Sequence, residues 1–296
     1  MIVSVASGKG GTGKTTVAVN LALSLKNVQF LDCDVEEPNA HIFLKPLISE
    51  KTSAFIPVPE VAEGKCDCCG KCQEVCAFNS IAVLPGEIRK DGSVLIFPHL
   101  CHGCGACSYL CPRGAIHEVK KEIGIVEKGF SDGIQFVHGK LNIGEAMSTP
   151  LIRQVKKHIE PAKTVIIDAP PGTTCPVIES VRGSDYCILV TEPTPFGLND
   201  LILAVEMLKT IGIPYGIILN RYDIGDDCVD IYARGSGIPI LMKIPFDREI
   251  ASLYSKGLPI VGYKSEYDSE LKNLLEKVNT LIGKMNFNPQ GRNGFS

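Results

Sequence analysis

Ser7-Gly8-Lys9-Gly10-Gly11-Thr12-Gly13-Lys14-Thr15-Thr16 is the stretch around which this chain is organised. An apolar run, Ile2-Val3-Ser4-Val5-Ala6, precedes it and reads as a short buried strand. Val17, Leu21, Leu23 and Leu25 follow it as an apolar stripe compatible with a helix. Strand, glycine loop and helix in that order make a phosphate cradle. Gly8, Gly10, Gly11 and Gly13 let the backbone turn tightly and aim its N–H groups at one point. Lys14 can then reach the β- and γ-phosphate oxygens of a nucleotide, and the Thr15 hydroxyl can join the shell of a Mg²⁺ ion. A glycine-rich turn without a ligand would not need Lys and Thr at these offsets.

Working outward, 296 residues with 45% hydrophobic content suffice for one α/β domain and a smaller module. The formal charge of -3 gives no electrostatic reason to expect a nucleic acid partner. Met1 leads directly into the first strand without the basic, apolar and cleavage-site sequence of a secretory signal. No run approaches the apolar length of a membrane span. A cytoplasmic chain with no membrane partner is the expectation. Of its 13 cysteines, eight fall into two short, regular groups, so metal or cluster ligation is a better reading than disulfides.

Val28-Gln29-Phe30-Leu31 reads as the second strand, ending in Asp32-Cys33-Asp34. Carboxylates at a strand's carboxyl end beside a phosphate cradle are placed for metal and water chemistry; an acidic, solvated turn is the plainer alternative. From about Pro57 the composition changes: Pro57, Pro59, Gly64, Gly70, Pro85, Gly86 and Gly92 interrupt any long helix, and the cysteines begin. The segment ends near Lys121, where apolar periodicity returns. A nucleotide motif on either side makes it an insertion, which divides the chain into 1–56, 57–121 and 122–296.

Within the insertion, Cys66-x2-Cys69-x2-Cys72-x3-Cys76 is followed by Cys101-x2-Cys104-x2-Cys107-x3-Cys111-Pro112. This resembles the bacterial two-cluster ferredoxin pattern, in which the fourth cysteine of each run ligates the other cluster. The pattern assigns Cys66, Cys69, Cys72 and Cys111 to one 4Fe-4S cluster, and Cys101, Cys104, Cys107 and Cys76 to a second. Two zinc sites are the rival reading, but zinc ribbons have no use for a third cysteine at this spacing. Cys68 fits no ligand slot and reads as a bystander.

Beyond the insertion, Phe136 to Gly144 reads as an edge strand and turn, and Ser148-Thr149-Pro150 starts a helix through Leu151, Ile152, Val155 and Ile159. Thr164-Val165-Ile166-Ile167-Asp168 is a buried strand ending in a carboxylate that can hold a Mg²⁺-bound water, with Gly172 beyond it. Further strands are read at Tyr186–Thr191, Tyr215–Arg221 and Ile240–Asp247. The last helix carries Leu271, Leu274, Leu275, Val278 and Ile282, a stripe expected to pack on the sheet, ahead of a loose tail from Asn286.

Gly8-Lys9-Gly10-Gly11-Thr12-Gly13-Lys14-Thr15 resembles the deviant phosphate loop of the MinD/ParA and nitrogenase iron protein group. The resemblance implies a Mg²⁺-dependent ATPase, with ATP held by Gly8 to Thr16. Its active form would be a nucleotide sandwich of two subunits, a homodimer or a heterodimer with a related ATPase. Lys9 would reach across the interface to the partner's nucleotide. Asp34 would orient water, Asp32 would lie near the Mg²⁺ shell, and Thr15 and Asp168 would organise the ion. Asn220 matches the adenine-reading asparagine, with Pro245 to Asp247 lining the base pocket. Cys175 stands at the offset from Asp168 at which the nitrogenase iron protein has a cluster ligand; a structural cysteine is the alternative.

The implied fold is a doubly wound, mostly parallel α/β sheet, a P-loop ATPase carrying an inserted small α+β ferredoxin-like domain. Two functions fit. One is nucleotide-gated electron transfer through the clusters to a metalloprotein or a maturing metal cofactor. The other is an assembly or carrier factor delivering clusters to apo-proteins. A spatial-positioning ATPase like MinD would have no use for clusters.

Overall fold

The structure is a computed structural model, and it describes residues 1–84, 86 and 92–286. Pro85 and the tail from Phe287 onward lie outside the described residues. The chain opens with β1 (Ile2–Ala6), α1 (Lys14–Leu23), β2 (Val28–Asp32), α2 (Ala40–Leu44) and β3 (Leu47–Val61). Next come α3 (Lys71–Val75), β4 (Ile81–Leu84), β5 (Ser93–Ile96), α4 (Ala106–Tyr109) and β6 (Ile116–Ser131). β7 (Ile134–Leu141) and α5 (Thr149–Lys156) lead to an alternation of β8 (Thr164–Asp168), α6 (Cys175–Val181), β9 (Tyr186–Thr191) and α7 (Pro195–Ile211). β10 (Tyr215–Asn220), α8 (Cys228–Gly235), β11 (Ile240–Ile244), α9 (Arg248–Ser255) and α10 (Ser265–Asn286) complete it.

Two compact units result: Met1–Lys51, Val126–Lys140 and the chain from Ile152 form one, Thr52–Ile125 and Leu141–Leu151 the other. The first holds a sheet whose strands run β11-β10-β9-β1-β8-β2-β7, continued by β6 and β3. Every pairing from β11 to β7 is parallel. Parallel strands are covered on both faces, and these are apolar almost throughout. Val3, Val5, Phe30, Ile188 and Val190 enter one core with α1 and α10. Ala6, Cys187, Leu189 and Leu219 enter the other with α6, α7 and α8. This is the doubly wound, mostly parallel α/β arrangement, and helices on both faces follow from the alternation of side chains along each strand.

Leu271, Leu274, Leu275 and Val278 of α10 are buried in the first of these cores, so that stripe is turned inward. No helix among the described residues is long and apolar enough to cross a membrane. One strand differs from the sequence expectation. Phe136 and its neighbours form not an edge but β7, an interior strand between β2 and β6. The cause is the turn at Asp132 and Gly133, with φ of 45° and 81°, which supplies the left-handed pair that a two-residue hairpin needs and lays β6 alongside.

In the second unit β4 and β5 pair antiparallel, Ile81 opposite Ile96. Ile81, Cys107 and Ile116 form its small core, with Cys72, Cys76 and Cys111 partly buried against it.

Candidate functional site

The loop from Ser7 to Gly13 joins β1 to α1, and sheet register decides what faces it. Val5 lies opposite Asp168 and Asp32 opposite Asp168, so both carboxylates emerge beside the loop at the strands' carboxyl ends. Gly13 caps α1 at φ 91°, and a Cβ there would stand 2.5 Å from the Asn220 amide nitrogen. No side chain caps this helix, which leaves its first N–H groups and positive dipole end available to an anion. At Gly8 a Cβ would collide with the Asp200 carbonyl. The Gly172 N–H donates to the Ser7 carbonyl (2.9 Å), tying the segment after β8 to the loop's first residue.

Lys14 is buried, with its Nζ 2.6 Å from Asp168 Oδ1 and 3.8 Å from Asp34 Oδ2. Burial opposes its charge, but Asp168 and Asp34 outweigh that and hold the ammonium above its usual pKa. Burial, with Asp168 and Asp34 for company, pushes Asp32 up to about 8; burial pushes Asp34 up to about 6 against the pull of Lys14. Asp32 does not lie free for a metal shell. Its Oδ1 accepts the Asp34 N–H (3.1 Å), and its Oδ2 accepts those of Asn39 (3.2 Å) and Ala40 (3.1 Å). It therefore shapes the segment that carries Asp34, a role its position at the end of an acidic turn did not reveal. Thr15 is buried beside Lys14. Thr12 Oγ1 and Asp168 Oδ2 are buried without a hydrogen-bond partner. Thr16 gives its carbonyl to Asn20 (2.8 Å), whose Oδ1 accepts the Ile260 and Val261 N–H groups.

Lys9 extends to Glu192, 3.8 Å away, and Glu192 also holds Arg221 at 2.7 Å. Gly10 and Gly11 line the exposed outer part of the loop. The Asn220 amide donates to the Thr12 carbonyl (2.9 Å), so in this structure it braces the loop. Asp247 caps α9 through the Glu249 N–H (2.7 Å) and pairs with Lys264, while Pro245 is half-buried just before it. Cys175 is exposed at the start of α6, and Cys33 and Cys187 are buried in the first unit. Glu192, Asp200 and Asn20 are residues of this site that sequence reasoning missed; nothing in their local sequence marks them.

In the second unit two cavities stand out. One is lined by Cys66, Cys68, Cys69, Cys72 and Cys111. The other is lined by Cys76, Cys101, Cys104 and Cys107. Each thus gathers three cysteines of one run and the fourth of the other. The two halves repeat in detail. The N–H groups of Cys68 and Gly103 point at Cys66 and Cys101 sulfur, each at 3.4 Å. Those of Ser80 and Ala115 point at Cys76 and Cys111 sulfur, each at 3.3 Å. Burial raises the Cys72 and Cys107 thiols. At Cys76 and Cys111 burial is overcome by these donors, which lower both thiols. Among the described residues no three His, Cys, Asp or Glu side chains converge on a single point suited to one metal ion.

The model of the CobQ/CobB/MinD/ParA nucleotide binding domain matches residues 3–260. An uncharacterized protein of Methanocaldococcus jannaschii is 35% identical over 287 residues, 94% of this chain and 96% of its own. The iron-sulfur cluster carrier protein of Pyrococcus abyssi is 27% identical over 304 residues, covering 96% of this chain and 86% of that one. Among solved structures, the septum site-determining protein MinD of Pyrococcus horikoshii, complexed with Mg-ADP, superposes with a TM-score of 0.58. That likeness, at 20% identity over 95% of this chain and 97% of the other, concerns the fold. A match over residues 3–260, through the loop, both carboxylate-ended strands and the sheet that presents them, places this chain in the CobQ/CobB/MinD/ParA nucleotide-binding family of P-loop ATPases.

Proposed function

We propose that this chain is a Mg²⁺-dependent ATPase whose second unit holds two 4Fe-4S clusters, and that nucleotide state gates electron transfer through them. The observation that carries the reading is the pair of cavities, each lined by four cysteines of the two runs. Zinc would need four ligands converging at about 2.3 Å on one atom. A cube takes each thiolate on a different iron, so its ligands ring a cavity, and the N–H groups directed at sulfur suit a charged thiolate set. Such clusters supply one-electron chemistry when bound.

At the nucleotide site the chain's own groups act by position and charge. The N–H groups at the start of α1 and the Lys14 ammonium hold phosphate oxygens. Thr15 and Asp168 hold Mg²⁺, for which the orphaned Asp168 Oδ2 is suited. Asp34, held in place through Asp32, positions the attacking water. Lys9 leaves Glu192 and meets the nucleotide of a second subunit, so the working form is a dimer. Asn220, Pro245 and Asp247 border the base.

A second reading is favoured by a specific observation: relatives across 86% of their length are named iron-sulfur cluster carrier proteins. In that reading a cluster is passed to an apo-protein. Anaerobic purification, an iron count and incubation with ATP plus a redox partner or an apo-acceptor separate the two. Retention of about eight irons with ATP-dependent partner reduction supports gating. Loss of iron to the acceptor supports delivery. Colourless protein with no affinity for ATP refutes both.

A further inference from the structure

The first cavity contains one thiol more than a four-ligand cluster takes, and the internal repeat shows where it came in. Cys68 occupies the place that Gly103 occupies in the second run. Both have left-handed backbones, φ 54° and 64°. Glycine is at home there, and a cysteine is not. At Gly103 a Cβ would press on the Pro57 carbonyl at 2.9 Å, so the second run has no room for a side chain. At Cys68 room has been made. Gly92 lies against it so closely that a Cβ on Gly92 would stand 2.8 Å from the Cys68 sulfur. The Cys68 side chain lines the cavity together with Cys66, Cys69, Cys72 and Cys111. The Cys68 N–H points at the Cys66 sulfur at 3.4 Å, which sets the two residues side by side.

We propose that Cys68 is a standby ligand for the cluster corner held by Cys66, which makes the first cluster, and not the second, the one whose ligation can shift. The inference rests on the reading of the two cavities as cluster sites. The exchange balances without a redox partner. The Cys68 thiol gives its proton to water, an iron–sulfur bond to Cys68 forms as that to Cys66 breaks, and the departing Cys66 thiolate takes up a proton. No electron moves.

The test is iron content after anaerobic reconstitution of the full chain. Wild type carries about eight irons. Cys66→Ala keeps about eight because Cys68 takes its corner, whereas Cys101→Ala, at the matching position with Gly103 beside it, keeps about four. Cys66→Ala combined with Cys68→Gly falls to about four, and Cys68→Gly alone stays at about eight. Should Cys66→Ala prove insoluble, Cys66→Ser with and without Cys68→Gly gives the same contrast, since a serine corner alone is a poor iron ligand. A Cys66→Ala or Cys66→Ser chain as depleted as Cys101→Ala, in a background where wild type is fully loaded, overturns the standby role alone. Wild type without iron overturns the cluster reading on which the inference stands.

Discussion

Replacing Gly13 with alanine tests the cradle at its tightest point. Two costs can be read from the structure. The backbone sits at φ 91°, where a Cβ costs roughly 1–2 kcal/mol. The new methyl would also stand 2.5 Å from the Asn220 amide nitrogen and 3.6 Å from its Cγ, so the amide must rotate away. That rotation gives up the bond to the Thr12 carbonyl, about 1 kcal/mol. The sum is about 2–3 kcal/mol. Gly10→Ala is the control, for nothing lies within 4 Å of a Cβ there and the backbone is not left-handed. Its effect should stay within about 0.5 kcal/mol. In an Asn220→Ala background Gly13→Ala should cost only its backbone part, a coupling of about 1 kcal/mol. Urea denaturation of nucleotide-free protein, followed by far-UV circular dichroism at constant m-value, measures the wild type and the four variants. Equal losses for Gly10→Ala and Gly13→Ala, or an additive cycle with Asn220→Ala, would refute the reasoning.

Lys14→Ala strands Asp168 and Asp34 without their shared cation and should destabilise the nucleotide-free chain by about 3–5 kcal/mol; adding Asp168→Asn should restore more than half of the lost urea midpoint. Lys9→Ala breaks only a half-exposed pair with Glu192, so stability should change by less than about 1 kcal/mol. Its ATP turnover should fall by about 100-fold or more with nucleotide affinity nearly intact, as parallel kinetic and equilibrium binding measurements would show. Acid should weaken the first unit through His138, whose pKa burial lowers although Glu127 at 2.8 Å pulls the other way, with His41 and Lys140 also nearby. A depressed histidine stabilises the fold above its unfolded pKa near 6.5 and loses that contribution as pH falls through the folded value; Glu127, itself lowered, acts in the same sense, so the drop in urea midpoint below pH 6.5 should shrink in His138→Gln.

The parallel sheet was legible because strands buried on both faces are written as apolar runs, and the glycine loop fixes which strand comes first. Asp32 and Asp168 were legible for a related reason, since they end such runs, and Asp34 follows two residues after the first. β3 and β6 were not. Their runs of adjacent charged residues, Glu50-Lys51 and Lys120-Lys121-Glu122, break the apolar pattern and hide strands that continue across the change in composition at Pro57 and Lys121. The bond from Asn220 to Thr12 joins residues 208 positions apart, and the site's use of Glu192 depends on the same long-range closure. Cys68, read from the sequence as a bystander, stands opposite Gly103 when the two cysteine runs are superposed, and both have left-handed backbones.

The electrostatics of the cradle explain why its residues form one working set. Asp32, Asp34 and Asp168 face a single buried ammonium, and burial with mutual repulsion pushes Asp32 to about 8 and Asp34 to about 6. At neutral pH such a cluster is short of positive charge. A bare triphosphate would add to the shortage, however well the loop's N–H groups were aimed at it. In the proposed function, a phosphate arriving with a divalent cation would reverse the balance, since Lys14 would turn from Asp168 to phosphate oxygen and the cation would take its place beside the carboxylate. The three N–H bonds to Asp32 then have a further consequence. They tie the segment bearing Asp34 to Asp32, the register partner of Asp168, so that whatever changes the charge beside Asp168 also changes the field at Asp34.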